Sequence, residues 1–178
     1  MKLVIASDIH GSAHYCRLLK ERFEEENADK LLLLGDLLYH GARNPLPAEY
    51  NTLEVARILN SLKERILCVR GNCDSEVDSM VLEFPITADF CFFPLGNGTA
   101  VATHGHKTPA VLGKGDYLLN GHFHVPAFEE RPEGYFYVNC GSVSIPKENS
   151  PHSYLLTDGK QLVWKDVETG IPFRREKL

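Results

Sequence analysis

The sequence predicts an α/β fold of two packed mixed β-sheets flanked by helices. Three observations carry this. Short apolar runs alternate with amphipathic helical stretches up to about residue 70. Beyond that, short strand-like runs follow one another between Gly, Pro, Asn and Asp punctuation. Strand–helix alternation followed by a strand-rich half suits two sheets with helices on the outside. Finally, groups of Asp, His and Asn stand at or just after these runs, where α/β folds present reactive groups on loops. At 178 residues the chain is long enough to bury its own core, and one domain over 1–178 is expected.

Residues 2–7 read as a buried parallel strand. Ser12 is a good N-cap for a helix to about residue 26, with Tyr15, Leu18, Leu19 and Phe23 on its apolar face and Lys20, Glu21, Glu24 and Glu25 in water. Residues 31–34 form a second strand, ending at Gly35-Asp36. The stretch 37–50 holds Gly41, Asn44, Pro45 and Pro47 and reads as a loop, long enough to suggest a functional one. Asn51, with Glu54 three residues on, gives a capping box for a helix to about residue 62. A third strand covers 65–69 and ends at Gly71-Asn72. Strands are then expected at 90–94, 99–103, 117–120, 135–139, 153–157 and 161–166, with a turn near 108–112.

Composition excludes several classes. The hydrophobic share of 43% is that of a soluble globular protein, and the net charge of −5 argues against affinity for bulk nucleic acid. A phosphate substrate stays open, because bound metal ions would supply positive charge locally. The apolar run after Met1-Lys2 is too short for a signal peptide or a membrane span, so a cytoplasmic protein is expected. Five cysteines, an odd number without Cys-x-x-Cys spacing, read as reduced and mostly buried thiols.

The chemistry lies in five segments. They are Asp8-Ile9-His10, Gly35-Asp36, Gly71-Asn72-Cys73-Asp74, Thr103-His104-Gly105-His106 and Gly121-His122-Phe123-His124. Each alone is weak: an Asp at a strand end often caps a turn, and a lone His is usually a surface or core residue. Their joint occurrence in this order points to a pair of divalent metals and so to phosphoester hydrolysis. Asp8 and His10, two apart, share one face if the chain stays extended, and so do His122 and His124. Asp36 has two oxygens with which to bridge two metals, and Asn72 offers a neutral amide oxygen.

This set resembles the calcineurin-like metallophosphoesterases, whose signature runs Asp-x-His, Gly-Asp, Gly-Asn-His-Asp/Glu, His and Gly-His-x-His. Within them, the short chain, Thr103-His104-Gly105-His106 and Asn139-Cys140-Gly141-Ser142-Val143-Ser144 are similar to the small bacterial and archaeal phosphodiesterases. The resemblance covers essentially the whole chain. It implies a four-layer αββα sandwich and a metal-dependent phosphodiesterase with a dinuclear centre and a bridging hydroxide. It implies one metal held by Asp8, His10, Asp36 and His124, and a second by Asp36, Asn72, His104 and His122. Mn²⁺ is the metal it favours; the oxygen and imidazole donors also admit Fe, Ni or Zn.

The family motif has His where this chain has Cys73. A thiol is a weak hydrogen-bond donor, so the chain is expected to favour good leaving groups. Cys73, Asp74 and His106 are the candidates for catalytic work, although Cys73 could instead fill space, Asp74 cap a turn and His106 lie exposed. His40 and Arg43, in the long loop, are candidates for substrate binding; Arg43 suits phosphate through its planar fork, or is a solvated charge. The expected substrate is a small phosphodiester, with no membrane and no bulk nucleic acid as partner. A phosphomonoesterase, a metal-dependent nuclease, or a catalytically silent protein-interaction scaffold like the retromer subunit of the same fold are the alternatives. Apolar residues in 46–50 suit either a homo-oligomer contact or a lid on the pocket.

Overall fold

The computed structural model describes every residue of the chain except Ala110. The first sheet has six strands in the order β11-β10-β9-β1-β2-β3. Its parallel part is β1 (Leu3–Ala6), β2 (Lys30–Leu33) and β3 (Ile66–Cys68), and its antiparallel part is β9 (Ser153–Thr157), β10 (Gln161–Asp166) and β11 (Pro172–Lys177). The second sheet has five strands in the order β4-β5-β6-β8-β7. These are β4 (Cys91–Leu95), β5 (Gly98–Ala102), β6 (Tyr117–Asn120), β7 (Ala127–Glu130) and β8 (Phe136–Asn139), with β5, β6 and β8 parallel.

Alternation along β1 explains how the layers assemble. Leu3 and Ile5 face the second sheet and pack with Leu119, Val138 and Trp164; Val4 and Ala6 face the helices and pack with Leu19, Phe23 and Leu59. Both α-helices, α1 (Ala13–Glu25) and α2 (Thr52–Asn60), thus cover the first sheet. Two packed mixed sheets with helices outside are what the sequence predicts. Among the described residues no α-helix covers the outer face of the second sheet. The β5–β6 crossover runs without a described helix, and the turn expected near 108–112 includes Ala110, outside the described residues.

The helix caps form as the sequence predicts, with one difference. Ser12 accepts from the Tyr15 N–H and Asn51 from the Glu54 N–H at 3.1 Å. The Glu54 carboxylate does not return to Asn51; it pairs with Arg57 one turn on, at 2.7 Å, so half of the capping box is made. Two strands escape the sequence. The short β7 follows Pro126 and sets Phe128 among the weak β formers Ala127, Glu129 and Glu130, and β11 carries Arg174, Arg175, Glu176 and Lys177, charges that suit an edge strand and hide its pattern. Cys16 and Cys140 are buried, whereas Cys68, Cys73 and Cys91 are only partly so; all five are free thiols. No described helix is long and apolar enough to cross a membrane.

Candidate metal centre

The five chemical segments meet at the carboxyl ends of β1, β2, β3, β5 and β6, where parallel strands of both sheets open onto one set of loops. Asp8, His10, Asp36, His122 and His124 all have positive φ, between 49° and 63°, the left-handed region that costs a non-glycine residue energy. This replaces the extended geometry expected from their spacing. The loop turns sharply at each ligand type, and the donors converge by alternating left-handed bends rather than by sharing a pleat face.

Backbone contacts hold these bends. Asp8 N–H donates to Gly35 O, His10 N–H to Asp36 O and Gly121 N–H to His104 O, so the loops hydrogen-bond to one another. The hydroxyls of Ser142 and Ser144 both donate to Asp8 O at 3.0 Å. Gly35, at φ 92°, lies so close to Gly71 that a Cβ would meet the Gly71 nitrogen. Asn139 donates to Asn120 Oδ1 and Gly121 O, each at 2.7 Å, and fixes the entry to the last loop.

The inward atoms fall into two groups around Asp36. In one, His124 Nε2 lies 3.1 Å and His10 Nε2 3.4 Å from Asp8 Oδ1, with the two ring nitrogens 3.4 Å apart. In the other, His104 Nε2 lies 3.0 Å from Asn72 Oδ1 and 3.1 Å from His122 Nδ1. Asp36 Oδ2 stands between, 3.7 Å from His10 Nε2 and 3.3 Å from His104 Nε2. Asp36 Oδ1 is occupied by the Cys73 N–H at 2.8 Å. Oδ2 is thus the Asp36 oxygen that faces both groups and would be offered to a cation.

The donor chemistry fits divalent cations. His10, His104 and His124 each turn Nδ1 to a backbone carbonyl, of Tyr39, Leu34 and Ile145, at 2.8, 2.7 and 2.5 Å. An N–H donated there leaves the Nε2 lone pair facing inward, as a metal ligand requires. Asp8 Oδ2 accepts from the His122 N–H, while the buried Oδ1 has no hydrogen-bond partner. An orphaned carboxylate oxygen among converging imidazole lone pairs is a site that a cation completes.

Without metal, protons answer the same charge. Burial works against ionisation of Asp8, but His10 and His124 outweigh it and hold its carboxyl well below the usual range. Burial pushes His104 down, yet Asp36 and Asp8 dominate and raise it to about 9; His10 is raised for the same reason by Asp8. His122 shifts the other way, lowered by burial and by the neighbouring His104 charge.

The remaining candidates separate. Asp74 is buried, and its oxygens accept from the backbone N–H groups of Asp36, Leu37 and Gly71 at 2.9, 2.8 and 2.7 Å. It clamps the second and third loops together, the capping part that the sequence also left open to it. Cys73 Sγ lies within 4.8 Å of ligand atoms of His10 and Asp36 and accepts from the Asn72 amide. Burial, then the Asp36 charge, pushes its thiol up to about 12. His106 is exposed, its ring 5.5 Å from that of His104, and burial of its inner edge lowers its pKa. Arg43, Cys73, Asn72, His122 and His124 line one cavity of about 400 Å³. His40 does not line it; its ring packs edge-on against Tyr39 and Tyr50. Lys147 and Asn44 do line it, and sequence reasoning missed both. Lys147 sits three residues past Ser144 in a segment with no motif of its own; only its N–H bond to His124 O brings it there.

Residues 1–161 match the calcineurin-like phosphoesterase superfamily domain. Phosphodiesterase YfcE of Escherichia coli K12 is 46% identical over 167 residues, which cover 91% of this chain and 90% of that protein. The solved structure of the E. coli YfcE phosphoesterase superposes with a TM-score of 0.92 at 42% identity, covering 99% of both chains. Vacuolar protein sorting 29 of Cryptosporidium parvum superposes with a TM-score of 0.64 at 16% identity over 99% of this chain and 97% of that one, a likeness of fold alone. By its sequence match and its relatives, the chain belongs to the calcineurin-like phosphoesterase superfamily.

Proposed function

We propose that the protein is a metal-dependent phosphodiesterase acting on small diesters with good leaving groups. The observation that carries this is the convergence of His10 and His104 on one inward oxygen of Asp36, with His10 and His124 on Asp8 Oδ1 beside it, next to an open cavity that Asp36 and His124 line. The name of the E. coli relative supports the same reaction. Asp8, His10, Asp36 and His124 would hold one divalent ion, and Asp36, Asn72, His104 and His122 a second. The mixture of carboxylate, amide and imidazole suits Mn²⁺. When bound, such a pair supplies a nucleophile active at neutral pH and neutralises charge on the phosphoryl oxygens.

The chain's own residues do the rest. The carbonyls of Tyr39, Leu34 and Ile145 fix the ring tautomers, and Ser142 with Ser144 holds the Asp8 bend. Arg43 presents a planar fork to anionic oxygens of the substrate from the cavity wall. Cys73, on the cavity wall, would be the proton donor to the leaving oxygen, and a thiol pushed up to about 12 is a poor acid for that task. An aryloxide leaves without such help and an alkoxide does not, which supports the bias to good leaving groups. His106, exposed and near His104, would exchange protons with solvent. A complete donor set speaks against a silent scaffold. A cytoplasmic setting suits the free thiols.

The test is hydrolysis of a bis-aryl phosphate diester beside the aryl monoester, first with chelator and then with Mn²⁺. Mn²⁺-dependent diester cleavage that exceeds monoester cleavage is expected. No turnover with any divalent metal would move the reading to the scaffold.

A further inference from the structure

The metal cavity carries more positive charge than its reaction requires. Two divalent ions against the carboxylates of Asp8 and Asp36 leave the centre cationic, which suffices for the single negative charge of a diester. Yet Arg43 and Lys147 line the same cavity from two separate segments. Both are exposed at its rim, and among the described residues neither takes part in an ion pair, whereas Arg17, Arg22, Arg57, Lys63, Lys107 and Arg131 all do. Their backbones are not loose. Asn44 N–H donates to Gly41 O and its amide to His40 O at 2.8 Å, closing the turn that carries Arg43. Lys147 N–H donates to His124 O, and Ser150 donates back to Lys147 O at 2.7 Å, with Glu148 and Asn149 in the left-handed region between them. Two braced cations without partners therefore face a cavity of about 400 Å³. That is the volume of a drug-sized ligand and far more than one phosphoryl group fills.

We infer that Arg43 and Lys147 form a second anion subsite, so that the substrate is a phosphodiester bearing a further negatively charged group, a carboxylate or phosphate, on the arm that stays in the cavity. This rests on the phosphodiesterase reading and narrows it. An anion there gains charge-assisted hydrogen bonds from the guanidinium fork and the ammonium, and it fixes which arm remains and which departs. Lys147 is then a specificity-determining residue that no motif marks.

The experiment compares two 4-nitrophenyl diesters with Mn²⁺-loaded protein, one with a phenyl and one with a carboxyphenyl second arm. Both release the same 4-nitrophenolate, so the leaving step is matched. The ratio of their kcat/KM values is the readout. The carboxyphenyl diester is expected to be favoured by about tenfold, the scale of one or two hydrogen bonds to a charged group. That preference should shrink with added salt. It should fall to near unity in the Arg43→Gln, Lys147→Met double variant, whose folding is checked by its thermal midpoint. A ratio near unity in the parent overturns the inference. So does a preference that survives the double substitution, or an equal fall on both diesters, which would mean the two cations grip the reacting phosphoryl group itself. No turnover of either diester in the parent overturns the phosphodiesterase reading and this inference with it.

Discussion

The two halves of the metal centre are built to opposite specifications. Asp8, His10 and His124 are 0%, 1% and 3% exposed, and each is tied from behind by backbone or serine hydrogen bonds. Asn72 is exposed, His122 is only partly buried, and the His122 ring approaches the cluster through His104 alone. His104, buried, marks the boundary. The closed half has a pre-formed cage with an orphaned carboxylate oxygen; the open half has a neutral amide and an exposed edge on the cavity. The difference teaches that two donor groups meeting at Asp36 need not share a task. On the proposed assignment, the closed half would keep an ion and the open half would expose one to substrate.

The sharpest break in this comparison is at the atom the halves share. Asp36→Asn should lower Mn²⁺-dependent diester hydrolysis by about a thousandfold or more, because it weakens both halves at once. Retention of substantial activity would show that Oδ2 does not join them. Graded chelation comes next. Metal content measured against rising chelator should fall in two steps, and Asn72→Ala should remove the weaker step while leaving the stronger. A single step in both proteins would show that the halves act as one.

Cys73→His tests the open half from its rim. With an imidazole available as acid, turnover of an alkyl diester should rise relative to an aryl diester by roughly 10²-fold. An unchanged alkyl-to-aryl ratio would sink the account of leaving-group preference. Ser144→Ala addresses the support of the closed half. Loss of one hydrogen bond to Asp8 O should weaken the tighter metal step by about tenfold and leave the weaker one unmoved.

The smallest expected effect is on pH dependence without metal. His104 is raised to about 9 by Asp36, above its unfolded value of 6.5. Its contribution to the stability of the chelated protein is therefore fully present below about pH 6.5 and is lost as pH rises through about 9. If about 1 kcal/mol goes with it, the thermal midpoint of chelated protein falls by roughly 2–4 °C across that window. Proton and metal compete for His10 and His104, so metal affinity should rise over the same range, with protons released on binding at pH 7. Titration calorimetry in two buffers of different ionisation enthalpy reads that release. His122, lowered rather than raised, adds nothing to it.

Much of this was legible in the chain. Buried parallel strands show as short apolar runs because both faces are covered, and Ser12 and Asn51 announce the helices because a cap needs a side-chain oxygen. The ligand types could be read because divalent metals accept few donors, and their order along the chain matches a family signature. The long-range partners could not be read. That Asp74 spends its carboxylate on three N–H groups from two loops depends on how those loops pack. That Lys147 reaches the cavity depends on a hydrogen bond to His124, far away in sequence. β11 hid because an edge strand is selected for charge rather than for apolar alternation.

By itself the sequence determined which atoms could bind metal, since residue chemistry is local. It also determined most of the segments that would be strands and helices, β7 and β11 excepted, since burial imposes a pattern on side chains. Only the tertiary structure decided how those atoms meet: through left-handed bends, around one oxygen of Asp36, in one closed and one open half. Backbone strain at five ligand positions is affordable only when other loops hold it in place, and such support comes from residues distant along the chain.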